Sequence, residues 1–180
     1  MSTAMVRTFL AYLEDKPGVL SRVTSLFRRR AFNIESLTVG RTERPDVSRM
    51  TLVVHADDDD ARRLEAHLWK LVNVLGVDEI GQGPAIVREL ALVKVRASES
   101  VRPAVMQLCD VYRARVVDVS PDALSIESTG TPEKVSSLLE MLRAYGVVEM
   151  VRTGSIAMRR GLDNADGVIS MSPGASPAAA

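Results

Sequence analysis

Apolar residues along the chain follow two spacings, and the switches between them mark out the elements. Met5–Leu13 is a short apolar run with β-branched and aromatic content, which predicts a central strand. Glu14–Gly18 interrupts it. Val19, Leu20, Val23, Leu26 and Phe27 then recur at helical spacing. Pro17 suits the first turn of that helix, Asp15 its free amides, and Arg28–Arg30 the negative end of its dipole. Ala31–Thr42 alternates less cleanly, as an edge strand does; Pro45-Asp46 marks a turn, and Ser48–Ala56 is the next strand. Asp57–Asp60 opens a second helix whose stripe is Ala61, Leu64, Leu68, Leu71, Val72 and Leu75, and Val74–Gln82 closes the first half as a strand.

The second half repeats that order. Leu90–Ala97 is a strand, and Val101, Ala104, Val105, Leu108 and Tyr112 share a helix that Pro103 fits only near its start. Two strands, Ala114–Ser120 and Ala123–Ser128, meet at Pro121-Asp122; a helix with Val135, Leu138, Leu139 and Leu142 and a strand over Val147–Met158 follow. The expectation is an α+β protein of two successive βαββαβ units, each a four-stranded antiparallel sheet with helices on one face. The units cover 6–82 and 89–162, with 83–88 as a linker. The Gly-, Ser-, Pro- and Ala-rich residues 163–180 cannot bury enough surface to offset their ordering entropy, so that tail is expected to be disordered. Sheets this small leave a face or an edge bare, so a homodimer is the physical expectation.

Composition narrows the function. Lys plus Arg and Asp plus Glu are 23 each, so there is no basic excess of the kind phosphate binding demands. Some RNA-binding domains share the βαββαβ order, but they stack bases on exposed aromatics of the central strands. Phe9 and Tyr12 are the only candidates in the first strand, they point to opposite faces, and Ser48–Ala56 has none. Neither nucleic acid nor membrane is therefore an expected partner, and no run reaches the ~18 apolar residues of a spanning helix. With no export signal either, the chain reads as cytoplasmic. Cys109 is the single cysteine, which excludes an intrachain disulfide and a CxxC site, and it reads as a small buried apolar residue. His55 and His67 sit in no ligand cluster, Gly81-x-Gly83 lacks the rest of a dinucleotide fingerprint, and Asp57–Asp60 lacks the glycine and final glutamate of a calcium loop. No catalytic centre, metal or cofactor is expected in the chain.

The candidate chemistry lies at Asp15–Gly18, where a strand runs into a helix N-terminus. Free amides and the positive dipole end there attract a carboxylate, an effect of ~0.3–1 kcal/mol. Gly18 has no Cβ and lets a ligand approach the backbone. Asn33, opening the next strand, offers a donor and an acceptor, and Asp15 could face an ammonium. Leu37 or Val39 of a partner chain would supply an apolar wall, at ~1.5–3 kcal/mol for a fully buried side chain. Taken alone, Gly18 also reads as turn chemistry and Asn33 as a strand start.

Leu13–Val39, LEDKPGVLSRVTSLFRRRAFNIESLTV, resembles the ACT domain that opens acetolactate (acetohydroxyacid) synthase small subunits, with the E-x-x-x-G-x-L-S-R-V and F-N-I-E-S-L-T-V blocks both present. Ser48–Thr51, Lys70–Val72, Arg88–Val95, Val117–Val119 and Gly130-Thr131 extend the likeness from about residue 7 to 161. The resemblance implies ferredoxin-like ACT and ACT-like halves in a non-catalytic regulatory subunit. Such a subunit binds valine, leucine or isoleucine for feedback and activates a separate catalytic large subunit. Thiamine diphosphate, magnesium and FAD belong to that catalytic partner. Asp15, Gly18, Asn33 and Ile34 are the effector contacts implied; Asp15 stands where many relatives carry Asn, which keeps an acceptor and loses a donor. The alternative is a stand-alone amino-acid-sensing ACT regulator, although no room remains for a helix-turn-helix of the kind a transcription regulator needs.

Overall fold

The computed structural model describes residues 4–30, 32–80 and 84–161, so the expected tail at 163–180 lies outside the described residues. In chain order the elements are β1 (Met5–Glu14), α1 (Val19–Arg30), β2 (Ile34–Arg41), β3 (Val47–Ala56), α2 (Asp58–Trp69) and β4 (Val74–Glu79). There follow β5 (Ala85–Arg96), α3 (Arg102–Tyr112), β6 (Arg115–Val119), β7 (Ala123–Gly130), α4 (Pro132–Arg143), β8 (Val147–Arg152) and β9 (Ile156–Arg159). The chain forms two compact units. The first runs to Ile86 and resumes at Ala157; the second is Val87–Ile156.

In the first unit the sheet order is β2-β3-β1-β4, antiparallel throughout. Alternate residues of the central strands (Phe9, Ala11 and Leu13; Met50, Leu52 and Val54) meet Val23, Phe27, Leu64 and Leu68 of the helices in one core. Through Leu68 the helical spacing seen in the sequence is thus the face each helix turns to the sheet. But α2 stops at Trp69, so Val72 is exposed beyond it and Leu75 belongs to β4. Asp57 caps α2, its carboxylate accepting from the Asp60 amide at 2.8 Å, as the acidic run suggested. Arg7, buried at the start of β1, donates to Glu79 at 2.8 Å and also to Asp58, joining β1 to β4 and to the first turn of α2. The Glu79 hydrogen bond leads the effects that raise the Arg7 pKa, so the guanidinium stays charged.

The second unit repeats the order as β6-β7-β5-β8, with Ala91, Val93, Val95, Leu124 and Ile126 packed against Val105, Val135, Leu138 and Leu142. Both units are the expected βαββαβ arrangement. The second sheet, however, has five strands rather than four, because β9 also pairs β5. Pairing with β8 runs over Ala91–Val95 of β5, and just before it the Thr153 amide donates to the Leu90 carbonyl at 3.0 Å. The expected single strand over Val147–Met158 is broken between Arg152 and Ile156, where Gly154 takes φ +81° and turns the chain. β5 begins at Ala85 rather than Leu90, so residues 85–88 are strand. Pro17 precedes α1 instead of opening it, since Gly18 beside it has φ +83° and cannot be helical.

Leu138 is fully buried in the second core. Leu138→Ala should destabilise that unit by about 2–5 kcal/mol. Thermal unfolding of wild type and variant checks this; an unchanged midpoint would place Leu138 outside the core.

Candidate functional site

Asp15 and Gly18 share one turn, and the turn is held by backbone as much as by side chains. The Asp15 amide donates to the Asp46 carbonyl at 2.7 Å, and the Lys16 amide to Glu14 O at 2.9 Å. Val19 N donates to Lys16 O at 3.3 Å and Arg22 N to Gly18 O at 3.2 Å, which starts α1. Gly18 has φ +83°, and a Cβ built on it would meet nothing within 4 Å. The backbone there is open to anything that approaches. The expected cap is not made by Asp15: its carboxylate faces Arg41 at the end of β2, 3.6 Å away. The acceptor capacity is present, but it is directed at a guanidinium.

Beneath the turn is a network that local sequence patterns do not reveal. The Glu14 carboxylate accepts from Asn73 Nδ2 at 2.5 Å and pairs with Lys16 at 3.2 Å. Asn73 Oδ1 in turn accepts from Arg22 of α1 at 2.8 Å, and the Glu14 amide donates to the Asn73 carbonyl at 3.0 Å. Asn73 therefore ties the end of β1, the second turn of α1 and the approach to β4 together. It lies 59 residues from Glu14, so no spacing rule could pair them.

Asn33 and Ile34 lie elsewhere. Asn33 is exposed just ahead of β2, and Ile34 is half-buried against the core. Ile34 pairs with Val54, which pairs with Arg7 near the start of β1. The Gly18 turn follows Glu14, which pairs with Val47 at the other end of β3. Seven residue steps separate the two levels, roughly 23 Å along the strands. Within one chain, then, the four expected site residues form two pairs at opposite ends of the sheet. Leu37 packs partly on its own core, while Val39 is exposed.

Among the described residues no group of three His, Cys, Asp or Glu could hold a metal ion, and no helix is long and apolar enough to cross a membrane. His55 pairs with Glu35 at 2.9 Å on the surface. Cys109 is buried, and burial pushes its thiol pKa up, away from nucleophilic thiolate.

Two family profiles cover most of the chain: an acetohydroxyacid synthase (AHAS) small subunit-like ACT domain over residues 10–76, and the small subunit of acetolactate synthase over 88–161. An acetolactate synthase small subunit from Mycolicibacterium smegmatis is 47% identical over 154 residues, 86% of this chain and 91% of that protein. The chain belongs to the acetolactate synthase small-subunit family. As members of that family are, it is a regulatory, non-catalytic subunit. A probable small subunit from Archaeoglobus fulgidus is 48% identical over 157 residues, 87% of this chain and 98% of its own. The crystal structure of the acetolactate synthase small subunit from Thermotoga maritima superposes with a TM-score of 0.81 at 38% identity, covering 87% of this chain and 98% of that one.

The Asn73 hydrogen bond, and then Lys16, hold the Glu14 carboxyl below its ordinary pKa of 4.5. A carboxylate whose pKa is depressed by folding stabilises the fold above the unfolded value, and loses that contribution as pH falls through the folded one. The stability difference between wild type and Glu14→Gln should therefore shrink as pH drops from 6 toward 3, followed by unfolding midpoints of both proteins. A difference that stays constant would mean the network does not favour the ionised form.

Proposed function

We propose that the chain senses a branched-chain amino acid, valine foremost, at a seam between the first units of two copies. The bound amino acid adjusts how residues 89–162 act on a thiamine-diphosphate-dependent catalytic large subunit, which the chain otherwise activates. Residues 6–82 are the sensing half in this reading. The relatives named as acetolactate synthase small subunits support the partner.

One observation carries the site: the two pairs of effector residues stand at opposite ends of β2, and β2 is an edge strand. An edge strand presents unpaired amides and carbonyls to a second copy. Antiparallel pairing of β2 with its own copy would align the Ile34 end of one strand with the Arg41 end of the other. That brings Asn33 of one chain level with the Asp15–Gly18 turn of its partner. The amino acid's carboxylate would meet the open backbone at Gly18 and the α1 amides, and Asn33 of the second copy would supply a donor and an acceptor. Leu20, exposed in the first turn of α1, and Val39 offer apolar surface for a branched side chain.

Gly18→Asp puts a carboxylate where the ligand's own would sit. In the reconstituted enzyme it should raise the valine concentration for half-inhibition about tenfold or more, equivalent to about 1.4 kcal/mol, while activation persists. Asn33→Ala should act likewise. A mixture of the two variant chains should then restore one intact site per mixed dimer, because Gly18 and Asn33 of each site come from different copies. Titration calorimetry with valine reads this directly. Mixtures that bind no better than either variant alone would refute the seam, and wild type that gives no heat with any branched-chain amino acid would refute the sensor.

A further inference from the structure

The helix-free face of the first sheet is not bare. Leu10 and Val53 are buried there at 2% and 5% exposure, although both lie outside the core beneath the helices. Thr51 beside them is buried too. The chain returns over this face after completing the second unit. Arg159 of β9 grips Asp78 with two hydrogen bonds, Nε to Oδ2 at 2.8 Å and Nη2 to Oδ1 at 2.6 Å, and reaches the Glu79 carbonyl at 3.1 Å. Across the sheet, the Arg49 guanidinium donates to the Ala157 carbonyl. The Arg160 amide donates to Pro84 O at 2.9 Å. Asp78 and Thr51 are the cross-strand neighbours of Leu10, so the strand is anchored on both sides of the buried patch.

The anchors also reach the effector turn. Arg49 pairs with Tyr12 across β1 and β3, and its guanidinium lies over the Tyr12 ring, 5.6 Å from the centroid. Tyr12 precedes Glu14 by two residues in the strand that feeds the turn. On the outer side Arg49 faces Gly40, next to Arg41, the partner of Asp15. A movement of the turn or of the end of β2 thus bears on the residue that holds Ala157.

We propose that residues 157–160 form a strap that carries the effector state of the first unit to the second. The second unit is inserted in the first, leaving it at Ile86 and rejoining it at Ala157, so the strap is its second covalent tether. A shift at Arg49 pulls on that tether. The bidentate Arg159–Asp78 pair holds its far side, a geometry that fixes direction as well as distance. This inference rests on the sensor reading above and adds the path of its signal. Arg159, Asp78 and Arg49 are positioning residues and make no contact with effector in this scheme.

The test uses the holoenzyme reconstituted with its catalytic subunit and two variants, Arg159→Ala and Asp78→Asn. Asp78→Asn keeps the side-chain volume and an acceptor oxygen, so it guards against simple misfolding. Three quantities are read: valine binding by calorimetry, the ratio of activities without and with saturating valine, and amide exchange across residues 156–160. The strap predicts unchanged valine affinity, faster exchange in the strap and a fall in the activity ratio of about fivefold or more, the lower end of ordinary allosteric coupling. Wild-type feedback retained by both variants despite faster exchange would overturn the strap and leave the sensor standing. Equal loss of valine affinity and feedback would also overturn it, because the residues would then belong to the binding site. A wild-type enzyme indifferent to every branched-chain amino acid overturns the sensor itself, and the strap's signalling role with it.

Discussion

A four-stranded sheet with both helices on one side has a second face that must be covered by something, and this constraint shapes most of the molecule. One helix layer buries Phe9, Met50 and Leu52 in the first unit and Val93, Leu124 and Ile126 in the second. It cannot reach the alternate residues of the same strands, which point the other way. In the first unit Leu10, Thr51 and Val53 are buried on that face, and the chain that comes back after the second unit is tied to Arg49 and Asp78 beside them. The second leaves Leu92, Val117 and Val151 exposed, and every residue of β8 at its edge is exposed as well. The two halves share a topology and differ in how that leftover surface is treated.

This difference explains which parts of the fold were legible in the sequence. Elements that face a core announce themselves by period, so α1, α2, α3 and α4 appear in Val19–Phe27, Ala61–Leu68, Val101–Tyr112 and Val135–Leu142. The repeated βαββαβ order follows from those periods and from the turns between them. β9 did not announce itself. It is a four-residue strand following directly on an exposed one, and only the positive φ of Gly154 separates them. Its partners, Asp78 and Arg49, lie 81 and 108 residues from the residues they bind. Periodicity is a local signal, and a strap is a long-range contact.

The candidate site was half legible for a related reason. A glycine at the end of a strand and before a helix marks the turn, and the positive φ of Gly18 bears out the need for that residue type. The neighbouring carboxylates were harder to assign. Asp15 reads as a cap until Arg41 is seen beside it, and Glu14 reads as the start of a break until Asn73 is seen beneath it. The separation of Asn33 from Gly18 needed only topology. A strand, a helix and a parallel-running strand necessarily put the end of the first and the start of the next at opposite sides of the sheet. A motif lists the two residues as neighbours in sequence, while the fold of one chain sets them at opposite ends of β2.

Arginine does much of the fastening, and the choice of residue follows from geometry. Arg7 bridges two carboxylates, Arg152 and Arg159 each take one carboxylate with two nitrogens, and Arg102 donates to the carbonyls of Ala97, Ser120 and Pro121. A lysine ammonium is a point charge and cannot span such pairs with a fixed orientation. The fork has a cost: the Nε atoms of Arg7, Arg49 and Arg102 are buried without a partner among the described residues. A buried unpaired donor costs about 1–3 kcal/mol, so these side chains are not there to maximise stability. They fix where one strand ends against another. In a chain with equal numbers of basic and acidic residues, that use of charge is registration of the fold rather than attraction of a polyanion.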